Sequence, residues 1–352
     1  MAGRFVRFAA QEACDSSPLY ARLSRAIADD PEMLALAAHA RPGQPVPNLL
    51  FAAVQYLLLK GTASPLADYY PGLAGFVHAH GESPPWGRLD GDPYPPFRSF
   101  CREHEDAIAR LLETRRVQTN EVGRAACLLP AFGLVARRAG RRPLALVEIG
   151  ASAGLLLLWD RYGYDYGGGS VYGDAASSVR VRCAARGNAR PPIPAPFPSI
   201  TYRVGLDLDP VDARDGDQAL WLRALVWPEH AQRAALLIRA LEVARRDPPP
   251  LCAGDALELL PDLLLAIPSD AAVCLYHCYT LNQWPREARA PLGASGRALP
   301  PARPLPHLAR APRRRLPRTA AGQLPTRRRI GGEASSLPRP RRLDRMAGCY
   351  VI

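Results

Sequence analysis

The sequence lacks several features that assign a chain to a broad class of proteins. Lys60 is the only lysine among 45 basic residues, and every other one is arginine. No long apolar stretch is free of charged residues, so the sequence predicts no membrane-spanning helix and no membrane partner. Residues 1–7 contain no continuous apolar core that precedes small residues, which does not fit a secretory signal. We therefore expect a soluble, cytoplasmic protein.

Paired cysteines are also missing. The eight cysteines are scattered singly along the chain, and the closest two, Cys274 and Cys278, flank His277. A structural zinc site needs four ligands, usually from two such clusters, and no second cluster follows. The sequence therefore predicts reduced thiols and no metal site.

Acidic residues are scarce only at one end of the chain. Residues 285–352 contain sixteen arginines and three acidic residues, which accounts for the whole formal net charge of +12. Residues 1–284 are close to neutral, so their charge gives no reason to expect a nucleic-acid partner. The partner of this part has to be inferred from motifs.

What the sequence does contain is a strand-turn-helix junction. An apolar run at 144–149 includes Glu148 and is followed by Gly150, Ser152 and Gly154, after which a leucine-rich helical pattern begins. Small residues allow a ligand close to the backbone at such a junction, and the first N–H groups of a helix point towards it. We expect the ligand site of the protein here.

Three ligand-binding interpretations of this junction differ in the spacing they require. The dinucleotide fingerprint G-x-G-x-x-G requires glycines where Ser152 and Leu155 stand. The nucleophile elbow G-x-S-x-G fits residues 150–154, with Ser152 as the nucleophile. The third interpretation adds Glu148: residues 148–154 are similar to the E/D-x-G-x-G-x-G turn of class I S-adenosylmethionine-dependent methyltransferases, with Ser152 in place of the middle glycine. A structural turn that binds no ligand is the fourth possibility.

Three further apolar runs end, like the first, in polar residues. These runs are residues 200–210, 251–256 and 271–277. Strands that alternate with helices predict βαβ units and an α/β fold with a parallel sheet. Ligands of such sheets bind at the carboxyl ends of the strands, where Asp207 and Asp255 join Glu148.

The chain divides into parts by its patterns. Residues 1–116 carry helical patterns, with helix starts at Ser17 and Asp30, each followed by proline, and we expect a helical domain. Residues 117–284 contain the four strands, interrupted at about 162–199 by an insertion rich in glycine and proline. The remaining residues form a C-terminal tail.

A dense polar cluster precedes the helix that leads into the first strand. Its candidate substrate-binding residues are Arg116, Gln118, Asn120, Glu121 and Arg124. Amide side chains such as that of Gln118 bind polar ligands through hydrogen bonds, and the two arginines can bind a carboxylate through two parallel bonds. The alternative is a solvated turn in which Thr119 caps the next helix.

Two more stretches match the methyltransferase pattern in the same chain order. Residues 205–210, GLDLDP, look like the second-strand signature that contacts ribose, and residues 253–256, AGDA, look like the turn that contacts adenine. The resemblance implies S-adenosylmethionine as cofactor. The residues that it assigns to cofactor binding are Glu148, Gly150, Ser152, Gly154, Asp207, Asp255 and Ala256.

The chain from residue 1 to about 290 also resembles a bacterial family known as domain of unknown function 2332. The stretches that carry this resemblance are residues 15–20, 118–124, 147–155, 205–210 and 224–229. It implies an N-terminal helical region on a Rossmann-like, class I methyltransferase-like parallel sheet, and it implies no established substrate. The resemblance ends at about Pro291, where further strands should follow, so we expect the C-terminal part of the sheet to be missing.

Three functions remain open. The first is methyl transfer from S-adenosylmethionine to an unidentified small molecule, with His277 at the end of the fourth strand as the proton acceptor. A buried structural histidine is the alternative role of His277. The second is an α/β-hydrolase with Ser152 as nucleophile, Asp255 as orienting carboxylate and His277 as base. The third is a binding protein of this fold without catalytic activity. No pattern fixes the substrate or the oligomeric state.

The tail, residues 285–352, contains eleven prolines and two arginine triplets. Ordering a residue costs on the order of 1–2 kcal/mol, which so few apolar residues cannot offset, so we expect disorder.

A nucleic-acid-binding tail is one interpretation of this composition. A shift of reading frame in a GC-rich gene is the other, and the end of the family resemblance at the same place favours it. The edge of the sheet next to the fourth strand is then expected to be unpaired.

Overall fold

The computed structural model of the protein describes residues 1–71, 73, 90–118, 120–167, 169–184, 191–280, 284 and 349–351. Helices dominate before residue 115, and a mixed α/β unit follows, so the predicted α/β fold is confirmed in outline. None of the helices within these residues is both long and apolar enough to span a membrane.

Six α-helices lie in the described part of the N-terminal region. They are α1 (Ala2–Phe8), α2 (Pro18–Ala28), α3 (Pro31–Ala37), α4 (Val46–Leu59), α5 (Tyr94–Glu103) and α6 (Glu105–Thr114). A π-helix at Ala9–Ala13 extends α1, and a 3₁₀-helix covers Pro65–Tyr69.

Both helix starts that the sequence predicts in this region are confirmed. The Ser17 hydroxyl accepts a hydrogen bond from the Tyr20 N–H at 3.2 Å, and a proline occupies the first position of α2. Asp30 caps α3 in the same way, by accepting a bond from the Glu32 N–H at 2.9 Å. Such caps satisfy N–H groups that the first turn of a helix leaves without intrahelical partners.

The centre of the N-terminal core is α4. Its Phe51 is fully buried and stacks on Tyr20 of α2, with ring centroids 4.2 Å apart. Trp221, from a helix of the α/β unit, belongs to the same apolar cluster, and its ring centroid lies 5.7 Å from that of Tyr56. The helical region and the α/β unit therefore share an apolar core.

The α/β unit is built on a central sheet. The described strands in chain order are β1 (Leu144–Ile149), β2 (Gly163–Asp165), β3 (Val171–Gly173), β4 (Arg180–Arg182), β5 (Ile200–Asp207), β6 (Leu251–Ala253), β7 (Ala272–Cys278) and β8 (Cys349–Val351). The central sheet has the order β6-β5-β1-β7-β8. Strands β6, β5, β1 and β7 are parallel, which confirms the predicted four-stranded parallel sheet. The strand order reverses next to β1, and open parallel sheets leave a crevice for ligands at such a point.

Helices cover both faces of this sheet. The described helices of the α/β unit are α7 (Ala125–Arg138), α8 (Gly216–Ala224), α9 (Ala231–Arg246) and α10 (Ala256–Ala266), and α8 packs mainly on α4. Side chains alternate along β1, so Leu146 joins the apolar cluster of α7 and α9, while its neighbour Val147 joins that of α10. Every residue of β1 is buried, as expected of a central strand with both faces covered.

The segment after the β1 turn is not the regular α-helix that the leucine pattern predicts. Leu155–Arg161 forms a 3₁₀-helix whose geometry is interrupted at Leu158. All of its residues up to Trp159 are buried, so the segment follows the shape of the core instead of burying one helical face. The turn therefore does not lead into the N-terminus of a regular α-helix.

The insertion predicted at about 162–199 contains a second sheet with the order β3-β2-β4. Buried Tyr162 and Tyr164 pack it against the main core. The Tyr164 hydroxyl donates to the Trp159 carbonyl at 2.6 Å, which ties this small sheet to the 3₁₀-helix.

The outer edge of β7 is paired, contrary to the expectation of an open edge. Strand β8 runs antiparallel to β7, with Tyr276 opposite Val351 and Cys278 opposite Cys349. The expectation that the C-terminal part of the sheet is missing is wrong to this extent. The expected disorder of residues 285–352 concerns positions outside the described residues, apart from this strand.

A substitution at Gly205 in β5 can test the close packing between the sheet and the β1 turn. A Cβ at this position would lie 2.5 Å from the Cβ of Ala151 and 2.7 Å from Cδ2 of Leu251. Overpacking of this kind costs about 1–3 kcal/mol, so Gly205→Ala should lower the free energy of unfolding by that amount in urea titrations. Gly216→Ala is the control, since a Cβ there meets nothing within 4 Å and alanine favours the first turn of α8. Equal stability of the two variants would contradict the packing.

Candidate functional site

A cavity of about 1020 Å³ lies at the carboxyl ends of the parallel strands. Residues at the ends of β1, β5, β6 and β7 form one wall, and Gln44 and Asn48 of the N-terminal region contribute to the rest of the lining. The volume is at the upper end of the roughly 300–1,000 Å³ that small-molecule sites occupy. The cavity lies where the sequence predicts a ligand site.

Ten of the thirteen candidate site residues line this cavity. They are Arg116, Gln118, Asn120, Arg124, Glu148, Gly150, Ser152, Asp207, Asp255 and Ala256. Gly154, Glu121 and His277 do not line it. The polar cluster and the strand ends, which are separate in the sequence, therefore meet in one place.

The turn after β1 places its backbone at the edge of the cavity. The N–H groups of Gly150 and Ala151 donate to the Leu206 carbonyl at 2.7 and 3.1 Å, so the turn folds over the end of β5. Gly150 has a φ of +73°, and a Cβ there would collide with the side chain of Thr280. The Thr280 hydroxyl donates to the Ile149 carbonyl at 3.0 Å. The turn itself thus requires a glycine at 150, which also lines the cavity.

Gly154 has a packing role instead of the expected contact with a cofactor. Its φ is +66°, and a Cβ there would lie 2.6 Å from Cγ of Pro249 and 3.1 Å from Cδ2 of Leu251. The glycine is needed because the segment that enters β6 approaches its backbone closely. Its place in a glycine-rich motif therefore reflects packing between the β1 turn and β6.

Ser152 has a backbone conformation that residues other than glycine rarely adopt. Its φ is +50°, in the left-handed region. Its N–H donates to Oδ2 of Asp207 at 2.8 Å, which holds the turn against β5. The residue is 6 % exposed, and its hydroxyl makes no hydrogen bond within the described part of the chain. Leaving a buried polar group unsatisfied costs about 1–3 kcal/mol, so a ligand that bonds to this hydroxyl gains that stabilisation.

Asp207 connects β5 to the turn and to the polar cluster. Its Oδ2 accepts the bond from Ser152, and its Oδ1 accepts bonds from the Asp209 N–H at 2.9 Å and the Gln118 amide at 3.3 Å. Burial raises the pKa of Asp207, and these hydrogen bonds oppose the shift. A carboxylate has about four acceptor positions, of which the described residues fill three. Asp207 can therefore accept a further bond from a ligand.

Glu148 is a buried carboxylate in the wall of the cavity. The residue is only 2 % exposed, and Tyr276 of β7 donates to its Oε2 at 3.4 Å. Burial raises the pKa of Tyr276 well above its ordinary value, so the phenol stays protonated and acts as the donor. The pair connects the ends of the two central strands.

Asp255 and Ala256 lie where β6 leads into α10. The Asp255 carboxylate accepts a bond from the Leu257 N–H at 2.8 Å and so caps the helix. Asp255 is exposed at the cavity wall, whereas Ala256 is buried. The cap engages Oδ1 alone, so a ligand donor can bond to the same carboxylate without breaking the start of the helix.

The polar cluster crosses the ends of three strands. Gln118 donates to the carboxylate at the end of β5 at 3.3 Å. The Asn120 amide donates to the Ala151 carbonyl after β1 at 3.4 Å, and Nη1 of Arg124 donates to the Cys278 carbonyl of β7 at 3.4 Å. These side chains therefore lie over the point at which the strand order reverses.

Arg116 and Glu121 take different places within this cluster. Arg116 lines the cavity and forms an ion pair with Asp209 at 3.7 Å. Glu121 forms an ion pair with Arg233, and its carboxylate caps the 3₁₀-helix Val122–Arg124. Glu121 thus makes structural contacts and does not line the cavity, and its role in substrate binding stays a prediction.

His277 lies on the face of β7 that is covered by α10. Val273 and Leu275 pack in the cluster of α10, and the alternation of the strand places His277 with them. Burial lowers the pKa of His277 to about 4, so the imidazole is neutral near pH 7. A base must reach the proton that it accepts, and His277 neither lines the cavity nor bonds to the Ser152 hydroxyl. Its surroundings are those of a buried structural histidine.

Sequence reasoning missed the residues around the end of β7. Tyr276 bonds to Glu148, Thr280 fills the space over Gly150, and both Tyr279 and Thr280 line the cavity. The rule applied to the other strand ends could have found them, because this segment also follows a parallel strand. Gln44 and Asn48 had no such signal, since they come from the helical region and their position depends on how it packs.

Comparison with known protein families found a family model that matches nearly the whole chain. A family model with the description "Uncharacterized protein conserved in bacteria (DUF2332)" matches residues 2–341. No curated protein and no solved structure matches the chain. The family match continues well past Pro291, so the expectation that the resemblance ends there is wrong, and it no longer supports a shift of reading frame.

The neutral, buried state of His277 predicts a specific pH dependence of stability. The folded protein keeps the imidazole neutral down to about pH 4, whereas the unfolded chain protonates it below its ordinary pKa of 6.5. His277 therefore stabilises the fold above pH 6.5, and this contribution is lost as the pH falls, by about 2–3 kcal/mol at pH 4.5. His277→Gln should lack the loss, so the difference in free energy of unfolding between wild type and variant should shift by this amount between pH 7 and 4.5. Parallel pH profiles would show that the histidine is accessible.

Proposed function

We propose that this chain, which belongs to the DUF2332 family, binds S-adenosylmethionine and transfers its methyl group to a small molecule. The observation that carries the proposal is the row of carboxylates at the ends of three neighbouring strands. Glu148, Asp207 and Asp255 line one cavity, beside the turn at Gly150. The hydroxyl and amino groups of a nucleoside are hydrogen-bond donors, so a row of acceptors is suited to bind them.

The strand order supports a Rossmann-like interpretation of the fold. Numbered along the chain, the parallel strands stand in the order third, second, first, fourth. The doubly wound sheets that bind nucleotides have this order at their centre, with the ligand at the point of reversal. The cavity occupies the same place relative to β1 and its neighbours.

The side chains in the cavity fit the groups of an adenosyl ligand. Asp207 keeps an acceptor position among the described contacts, which a ribose hydroxyl can use. Asp255 and the start of α10 at Ala256 offer an acceptor and N–H donors, the combination that the edge of adenine requires. The buried Ser152 hydroxyl gains a partner when a polar ligand binds.

The chemistry that bound S-adenosylmethionine supplies is an electrophilic methyl group on a sulfonium ion. The contribution of the chain is to position the acceptor and to exclude water, because alignment of two reactants removes most of the entropic cost of their encounter. Gln44 and Asn48 help to enclose the cavity, and Gln118 and Asn120 place amide groups across the strand ends. We assign no proton transfer to His277, because its side chain does not line this cavity.

Binding of the cofactor can be measured directly by calorimetric titration with S-adenosylmethionine and S-adenosylhomocysteine. Asp207→Asn removes the charge that attracts the ribose hydroxyls and should weaken both ligands by about 10- to 100-fold, since hydrogen bonds to charged groups contribute roughly 1.5–3 kcal/mol. Asp270→Asn is the matched control. Asp270 is an exposed aspartate in the turn before β7, and its carbonyl, not its carboxylate, bonds to Arg142. Absence of heat and of a thermal shift for the wild type at millimolar ligand would contradict the proposal.

A hydrolase stays the second candidate because of the conformation of Ser152. Its left-handed φ between two glycines at a strand end is the kind of strained turn that presents a nucleophile. The rest of a catalytic triad is not assembled around it, since its hydroxyl bonds to no described residue and His277 does not line the cavity that Ser152 lines.

The two candidates differ in the reactivity of Ser152. A serine-directed fluorophosphonate should leave Ser152 unlabelled, as judged by intact mass and peptide mapping. Ser152→Gly should preserve the fold, because glycine adopts a positive φ without strain and the variant removes a buried unsatisfied hydroxyl. S-Adenosylhomocysteine should still bind to the variant, weakened by no more than the loss of one hydrogen bond. Stoichiometric labelling at Ser152 would instead support the hydrolase.

A further inference from the structure

The sign of the charge in the cavity changes along the row of strand ends. Glu148, Asp207 and Asp255 lie at the ends of β1, β5 and β6, whereas the guanidinium of Arg124 lies at the end of β7. A ligand that spans the cavity therefore meets hydrogen-bond acceptors on one side and a cation on the other.

Arg124 differs from the other arginines that line the cavity in its partners. Arg116 forms an ion pair with Asp209 at 3.7 Å, and Arg233 forms one with Glu121. Arg124 forms no ion pair with another residue in the described ranges, and its one hydrogen bond there is 3.4 Å long. A guanidinium has five N–H donors, so most of those of Arg124 remain for a ligand.

Tyr279 holds the guanidinium of Arg124 in place. The guanidinium carbon lies 4.6 Å from the centroid of the Tyr279 ring, a cation–π contact. Tyr279 has a φ of +66°, a strained conformation for an aromatic residue, and such strain is concentrated at ligand sites. Helix α7 begins at the next residue after Arg124, and its N-terminal end adds partial positive charge.

We infer that Arg124 and Tyr279 form a subsite for a carboxylate group of the ligand. A guanidinium binds a carboxylate through two parallel N–H···O bonds, and the ring below it restricts its orientation. The inference rests on the proposed methyl transfer for the identity of the ligand. The carboxylate belongs either to the amino-acid end of S-adenosylmethionine or to an acidic methyl acceptor, and the two sources can be separated by titration.

The experiment uses the full chain and three probes in calorimetric titrations. S-Adenosylhomocysteine carries the amino-acid carboxylate, 5′-methylthioadenosine is a related nucleoside without it, and benzoate is a free carboxylate. Arg124→Met removes the charge and keeps a long side chain, whereas Arg124→Lys keeps the charge without the planar fork. Arg138→Met, at the exposed C-terminal end of α7, is the control. Circular dichroism verifies that each variant folds.

Two results support the subsite and identify the source of the carboxylate. If it belongs to the cofactor, Arg124→Met weakens S-adenosylhomocysteine by about 10- to 100-fold and leaves methylthioadenosine unchanged. If it belongs to the acceptor, the same variant loses benzoate and keeps S-adenosylhomocysteine. In both cases Arg124→Lys should be intermediate, because a single ammonium cannot form the paired bonds.

Other results overturn the inference. Unchanged affinity of Arg124→Met for both carboxylates, or an equal loss of methylthioadenosine, would show that Arg124 binds no carboxylate. Binding of benzoate that depends on Arg124, without binding of any adenosyl compound, would keep the subsite and contradict the proposed function. A wild-type protein that binds none of the probes contradicts both.

Discussion

The cavity depends on a carboxylate that joins the N-terminal helices to the α/β unit. Glu229, between α8 and α9, accepts a hydrogen bond from the Ser17 hydroxyl at 2.7 Å and another from the Leu19 N–H at 3.0 Å. Ser17 is fully buried and caps α2, so a charged acceptor lies at the positive end of a helix. Two further bonds across this boundary hold the cavity residues themselves: the Val117 N–H donates to the Gln44 side chain at 3.0 Å, and the Trp227 indole donates to the Asn48 side chain at 3.1 Å. Together these contacts hold Gln44 and Asn48 where they line the cavity.

Parallel strands explain how much of the site could be predicted. Alternating strand and helix patterns predict a parallel sheet, whose strand ends share one edge, so Glu148, Asp207 and Asp255 could be placed together before the fold was known. The pattern along a strand does not fix which face a side chain takes relative to its neighbours. His277 ends a strand as Glu148 does, yet it packs with the cluster of α10 and does not line the cavity.

The glycines of the β1 turn also show that the sequence does not predict which distant side chains pack together. Gly150 and Gly154 both have positive φ in a turn that resembles a ligand-binding motif, but the space beside them belongs to Thr280 and Pro249. No local pattern links these pairs, because each depends on how distant segments pack. The stretches at 15–20 and 224–229 are a further case of contact between distant segments. Ser17 and Glu229 are 212 positions apart in the chain, and their side chains form a hydrogen bond.

The polar cluster is anchored behind the cavity as well as at the strand ends. The Trp221 indole donates to the Arg116 carbonyl at 2.8 Å, and the Gln118 amide donates to the Asp209 carbonyl at 2.6 Å. The bonds of Asn120 and Arg124 to the strand ends are longer, at 3.4 Å. A ligand that takes over the longer bonds changes the balance of forces on the whole segment, so its affinity and the segment's position are thermodynamically coupled. Trp221 is 3 % exposed and lies outside the cavity lining. The position of side chains that line the cavity therefore depends in part on a tryptophan that does not line it.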